Sequence, residues 1–138
     1  LKLAFDHSFN TPIPSDRRPL ALYINHDGSV ANNVFPATVL CCEGVLDVLH
    51  TQFTVWPWDV TERENREQLM EWMSECKLEE ARSLIAFYRG VDSFPVLILV
   101  SKIGEHLKID SVNNSESADQ AMEKILICLD ANEYWKQV

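Results

Sequence analysis

The sequence predicts an α/β fold, a mixed sheet of about four strands flanked by helices. Three observations carry this. Leu20-Ala21-Leu22-Tyr23-Ile24 is a near-continuous apolar run that ends in the turn formers Asn25 to Ser29. A run of that kind implies a strand buried on both faces, and a buried strand feeding a turn and a helix is an α/β unit. Second, the sequences Thr61-x-x-Glu64 and Ser117-x-x-Gln120 have the form of capping boxes, and each precedes apolar residues at helical spacing. Third, Pro95 to Ser101 is another apolar run, separated by a turn over Lys102 to Glu105 with Gly104 from the strand pattern His106 to Val112, as in a hairpin.

Taken in order, residues 1–18 read as an extension or linker and 19–138 as the domain. Pro12, Pro14 and Pro19 give the start little periodicity, and Thr11 to Arg18 reads as a loop. The start is expected to be loosely ordered, with Phe5 and Phe9 available to pack on the domain. After the first strand, Val30 to Leu40 is expected to be helical, with Ser29 as N-cap and Pro36 as a kink. Glu43 to Gln52 continues helically, with Leu40, Cys41, Gly44, Val45, Val48 and Leu49 on one face. Phe53 to Val60 is a second strand. Pro57 has no N–H, so this strand should bulge there or lie at an edge. Leu69, Met70, Met73 and Cys76 form the stripe of the next helix, and Leu78, Ala81, Ile85 and Tyr88 that of a further one. Gly90 to Ser93 is a turn, and Asn113 to Glu116 a loop. The last helix runs to about Tyr134, with Ala118, Ala121, Met122, Ile125, Leu129 and Asn132 on one face. The resulting order is strand, helix, strand, helices, strand, hairpin, strand, helix.

Length, charge and cysteines narrow the function classes. A chain of 138 residues suits one compact domain. Its longest apolar run, Pro95 to Val100, is far short of the ~20 residues of a transmembrane helix, and no signal peptide is visible. A first residue of Leu rather than Met suggests an excised fragment. The net charge of −9 repels nucleic acid and anionic lipid on average, while leaving room for a local basic patch. Cys41, Cys42, Cys76 and Cys128 form neither a C-x-x-C pair nor a metal ligand set, so buried reduced thiols in a cytosolic or nuclear protein are expected. No cofactor and no metal is implied.

A redox enzyme of this build needs a thiolate where the first helix begins and a resolving thiol one turn on. Ser29 and Asn32 fill those two positions here. A hydroxyl cannot form a disulfide, and an amide cannot resolve one. Ser29, His26 and Asp27 crowd one turn, where a nucleophile, base and orienter rarely converge; helix cap and turn former are the simpler roles.

Several segments in register give a closer match. Phe94-Pro95 leading into a strand, with the order of elements, resembles the thioredoxin-like three-layer fold, in which a cis-proline faces the start of the first helix; Pro95 holds that place. Within this fold, Arg18-Pro-Leu-Ala-Leu-Tyr-Ile-Asn-His-Asp27, Asn33-Val-Phe35, Leu40-Cys41-Cys42-Glu43, Phe53-Thr-Val-Trp-Pro-Trp-Asp59 and Phe94-Pro-Val-Leu-Ile-Leu99 resemble the UAS domain of Fas-associated factor proteins. The likeness runs from about Pro19 to Tyr134 and includes Asp130-Ala131-Asn132. It departs at Pro36, where relatives often carry Cys, and at the doubled Cys41-Cys42.

The resemblance implies a non-catalytic module of an adaptor in ubiquitin-dependent degradation. Such adaptors are UBX proteins of the cytoplasm and nucleus, at times at the endoplasmic reticulum surface, and the Fas-associated name connects them with apoptosis. They reach ubiquitin and a hexameric AAA ATPase through domains absent from this chain. The resemblance further implies binding of long-chain unsaturated fatty acids by a monomer that self-associates with the lipid. A fatty-acid carboxylate needs a cation near an apolar groove. Arg63 and Arg66 after the second strand, or Lys102 and Lys108 at the hairpin, could supply it, and Trp56 and Trp58 could form a ligand or partner surface; core packing and solvated charge are the plainer accounts. The alternative is a thioredoxin-like oxidoreductase or redox-responsive protein using Cys41 or Cys42.

Overall fold

A computed structural model describes residues 1–11, 17–29, 44–88, 90–103 and 106–136. The expected helix Val30 to Leu40 with Pro36, the positions Asn32, Cys41 and Cys42, and Gly104 of the hairpin turn lie outside the described residues.

Four strands form one mixed sheet in the order β2-β1-β3-β4. They are β1 (Leu20–Asn25), β2 (Thr54–Asp59), β3 (Val96–Ile103) and β4 (His106–Val112). β1 runs parallel to β2 and antiparallel to β3, and β3 pairs antiparallel with β4. The described helices are α1 (Lys2–Phe9), α2 (Val45–Gln52), α3 (Arg63–Glu75), α4 (Glu79–Phe87) and α5 (Ala118–Lys136), with a 3₁₀ turn at Val91–Ser93.

Alternation along β1 and β3 sends side chains into two cores. Leu20, Leu22, Ile24, Val96, Ile98 and Val100 meet Leu69, Met73, Leu78 and Ile85 of α3 and α4 on one face. Ala21, Leu97 and Leu99 meet Val45, Leu49, Ala121, Ile125 and Cys128 of α2 and α5 on the other. Helices on both sides make three layers, which is why the two inner strands read as unbroken apolar runs.

The β2 strand is an edge strand, the outcome Pro57 demanded. Its pairing with β1 runs without a bulge from Leu20↔Thr54 to Asn25↔Asp59. At the opposite edge, Asp110 Oδ1 accepts from the Ser111 N–H at 2.8 Å, and Lys124 Nζ donates to the Ser111 carbonyl at 2.6 Å.

The start of the chain differs from expectation. Residues 2–9 form a helix whose Phe5 and Phe9 rings meet edge to face at 5.1 Å and pack on the α3/α4 core. A helix this short gains its stability from burial rather than propensity, so two phenylalanines four residues apart were its main signal. Further along, the Asn132 amide donates to the Arg17 carbonyl at 3.1 Å and ties the approach to β1 onto α5.

The two capping boxes have different outcomes. At α5 the box closes: the Gln120 amide oxygen accepts from Ser117 N–H (2.8 Å), and Ser117 Oγ accepts from Gln120 N–H (3.2 Å). At α3 the N-cap is Glu62, with no side-chain cap bond. The Thr61 hydroxyl is spent on tertiary contacts instead, accepting from Asp27 N–H at 2.9 Å and donating to the Asp59 carboxylate.

The α3 helix ends in a Schellman turn. Leu78 N–H donates to Met73 O (2.8 Å) and Lys77 N–H to Ser74 O (3.1 Å), with Leu78 and Met73 both buried. The turn holds Lys77 at φ 61°, a left-handed conformation that glycine usually supplies. Lys77→Gly should therefore raise stability by about 1 kcal/mol, since left-handed backbone costs an L residue roughly 1–2 kcal/mol. A higher urea midpoint at unchanged slope is the measurement that checks it.

Candidate functional site

Antiparallel pairing of β1 with β3 puts Ile24 opposite Val96. The turn leaving β1 and the segment entering β3 therefore share one corner of the sheet. The Phe94–Pro95 peptide bond there is cis. Ser29 Oγ donates to the Phe94 carbonyl at 2.6 Å in a buried setting. Asn114 Nδ2 donates to the same carbonyl at 2.9 Å and to Asp92 O at 2.7 Å.

The Phe94 ring is the packing centre of this corner, at 1% exposure. His26 stacks on it with centroids 6.2 Å apart, Tyr88 meets it edge-on at 5.8 Å, and the Arg66 guanidinium lies 5.9 Å from its centroid. Arg66 Nη2 also donates to Ile85 O and Tyr88 O, both at 2.6 Å, closing the end of α4. An arginine expected on a ligand surface is thus half-buried and engaged by the protein's own carbonyls.

These bonds decide the chemistry. The Ser29 proton is directed at a carbonyl. Gly28 N–H donates to His26 Nδ1 at 3.0 Å, and Asp27 meets Thr61 through its N–H. Ser29, His26 and Asp27 make no chain of nucleophile, base and orienter. Asp59 is lowered below the ordinary carboxylate range: burial works against this, but bonds from Thr61 and Asp27 and the neighbouring His26 outweigh it. No cysteine among the described residues joins the corner. Cys76 caps the far end of α3 and Cys128 lies on α5. Burial raises both thiols, Cys128 to about 12. Among the described residues no cluster of His, Cys, Asp or Glu could hold a metal ion, and no helix is long and apolar enough to cross a membrane.

Trp56 and Trp58 lie on one face of β2 with rings stacked at 5.3 Å. Trp72 of α3 stands edge-on to them at 5.9 and 4.8 Å. All three are half-buried against the α3/α4 core, and Trp58 Nε1 donates to Asn65 O at 2.9 Å. Arg63 is exposed and pairs with Glu67 at 3.0 Å. The tryptophans thus pack with Trp72, while the two arginines share a small cleft with His26.

A larger groove, about 580 Å³, lies at the opposite end of the sheet. Phe5, Leu107 and Ile109 give it apolar lining, and Lys2, Lys77 and Lys102 bring ammonium groups to it, with Glu75, Glu79 and Glu80 also present. Lys108 lies instead beside Asp110 and Lys124 near α5. Thr61, Asn114 and the grip of Arg66 were not foreseen. Their signal is tertiary, apart from the Asn113-Asn114 pair that follows β4.

Three layers, this strand order and a cis-proline facing the turn after β1 define a thioredoxin-like fold. The solution structure of a thioredoxin from Thermus thermophilus matches with a TM-score of 0.60 and 15% identity, over 94% of this chain and 82% of that one. The chain belongs to the Fas-associated factor 1 family, whose model matches residues 1–127. It is 35% identical over 129 residues to UBX domain-containing protein 3 of Caenorhabditis elegans, covering 91% of this chain and 20% of that protein. It is 28% identical over 131 residues to FAS-associated factor 1 of Homo sapiens, covering 94% and 20%. The chain spans about a fifth of the length of these curated relatives.

The two donors on the Phe94 carbonyl should be redundant. Ser29→Ala and Asn114→Ala are each expected to cost about 1 kcal/mol, and the double variant more than their sum, because only then is a buried carbonyl left bare, at roughly 1–3 kcal/mol. Urea unfolding of the four proteins measures the coupling.

Proposed function

We propose that the chain is a non-catalytic interaction module of an adaptor protein in ubiquitin-dependent protein degradation. The observation that carries this reading is Ser29: it faces the Phe94–Pro95 segment where a redox protein of this fold needs a thiol, and its hydroxyl is committed to the Phe94 carbonyl. Ser29 and Asn32 are then positions from which redox chemistry has been lost. Family membership supports the adaptor role, and the matched relative named for a UBX domain supports a setting in the ubiquitin pathway. Contacts with ubiquitin and an AAA ATPase would be made by other domains of a longer protein, in the cytoplasm or nucleus or at the endoplasmic reticulum surface.

The finer reading is that the module takes up a long-chain unsaturated fatty acid and self-associates. The large groove supports it, because Phe5, Leu107 and Ile109 suit an acyl chain while Lys77 and Lys102 suit its carboxylate. Light scattering with an unsaturated fatty acid and its saturated analogue tests this. Growth in particle size with the unsaturated acid alone is expected, and no response to either removes lipid from the function.

Thiol reactivity tests the absence of redox chemistry. Cys76 and Cys128 should stay unreactive toward a thiol reagent at pH 8 until the protein unfolds, since burial raises both. A fast thiol of low pKa that disappears in Cys41→Ser or Cys42→Ser would restore the oxidoreductase alternative.

A further inference from the structure

A cleft of about 170 Å³ adjoins the Phe94 corner, bounded by the turn after β1, the first turns of α3 and the segment Gly90-Val91. Among the described residues its titratable lining is His26, Arg63 and Arg66, with no carboxylate, although the chain carries a net charge of −9. The larger groove, by contrast, mixes lysines with glutamates.

Each basic residue keeps capacity to bind. Arg66 is half-buried, yet its described partners are two carbonyls and the Phe94 ring. The described ion pairs, Lys2–Asp6, Arg63–Glu67 and Lys124–Glu116, do not include it. Carbonyls satisfy a guanidinium's N–H groups but bring no opposite charge, so among the described residues no carboxylate is paired with this partly desolvated cation. Arg63 is held by an exposed i,i+4 pair, which is weak and exchangeable. His26 Nδ1 accepts from Gly28 N–H, which leaves Nε2 as the ring nitrogen able to donate. The packing at Gly28 is close: a Cβ there would come within 3.2 Å of the His26 ring and of Val91 Cγ1. Asp59, the acidic group that feels His26, is turned onto Thr61 by two bonds and does not line the cleft.

We propose that this cleft binds a phosphate monoester or free phosphate through Arg63, Arg66 and His26. One arginine fork satisfies a carboxylate. Two arginines and a histidine lining one small cleft supply donors suited to the three acceptor oxygens and near-double charge of a phosphate group. This site goes beyond the adaptor reading and does not depend on it.

The test is an amide chemical-shift titration of the chain with inorganic phosphate, O-phosphoserine and acetate at constant ionic strength. Saturable shifts clustered at His26, Gly90, Val91 and Phe94 are expected with both phosphates and not with acetate. Arg63→Gln, an exposed change that leaves the fold intact, should weaken phosphate binding about tenfold, the loss of one charge-assisted contact. Lys108→Gln on β4 should leave it unchanged. Tighter binding of O-phosphoserine than of phosphate would support a phosphorylated partner side chain as the source, and equal binding would support free phosphate. Equal response to acetate, shifts spread over the whole surface, or unaltered binding in Arg63→Gln would overturn the proposal.

Discussion

The Phe94 carbonyl accepts two side-chain hydrogen bonds, from Ser29 Oγ and Asn114 Nδ2, and its ring is packed by His26, Tyr88 and Arg66. One residue therefore joins the turn leaving β1, the loop after β4, the end of α4 and the body of α3. A buried carbonyl without partners would be costly, and a buried arginine without acceptors more so. Ser29 and Asn114 satisfy the carbonyl, and the Ile85 and Tyr88 carbonyls take the Arg66 donors. Ser29 serves here as a fastener: a hydroxyl directed at a carbonyl at 2.6 Å is a structural bond, not a waiting nucleophile.

The same corner is built unlike one that disulfide chemistry requires. In a thioredoxin-like frame the proline segment faces whatever stands after the first strand. A thiol there needs a setting that stabilises its anion. This chain offers instead an acceptor that takes a proton-bearing group, and its described thiols are buried and raised in pKa. Two clefts adjoin the sheet at its opposite ends. Among the described residues, the one beside Phe94 is lined by two arginines and a histidine without carboxylates, and the one beneath the hairpin mixes both signs over apolar side chains.

What was legible in the sequence follows from the range of the forces involved. β1 and β3 showed because burial on both faces writes an unbroken apolar run, and the start of α5 because Ser117 and Gln120 satisfy each other's backbone without help. Thr61 had the same local pattern, yet Asp27, 34 residues away, claims its hydroxyl. Arg66 looked like surface charge because its acceptors lie 19 and 22 residues on. The α1 helix escaped notice because its stabilisation comes from the core it covers. The pairing of Trp56 with Trp58 was readable from strand alternation, whereas Trp72 completing the cluster was not.

The two border strands have a consequence for colloidal behaviour. Pro57 in β2 withholds a donor, and Ser111 in β4 has both its main-chain groups engaged by Asp110 and Lys124. Neither border offers an uninterrupted row of peptide groups to a neighbouring molecule, which is the template that cross-β stacking requires. A crowded solution of this domain is thereby made less prone to fibril seeding through its sheet edges.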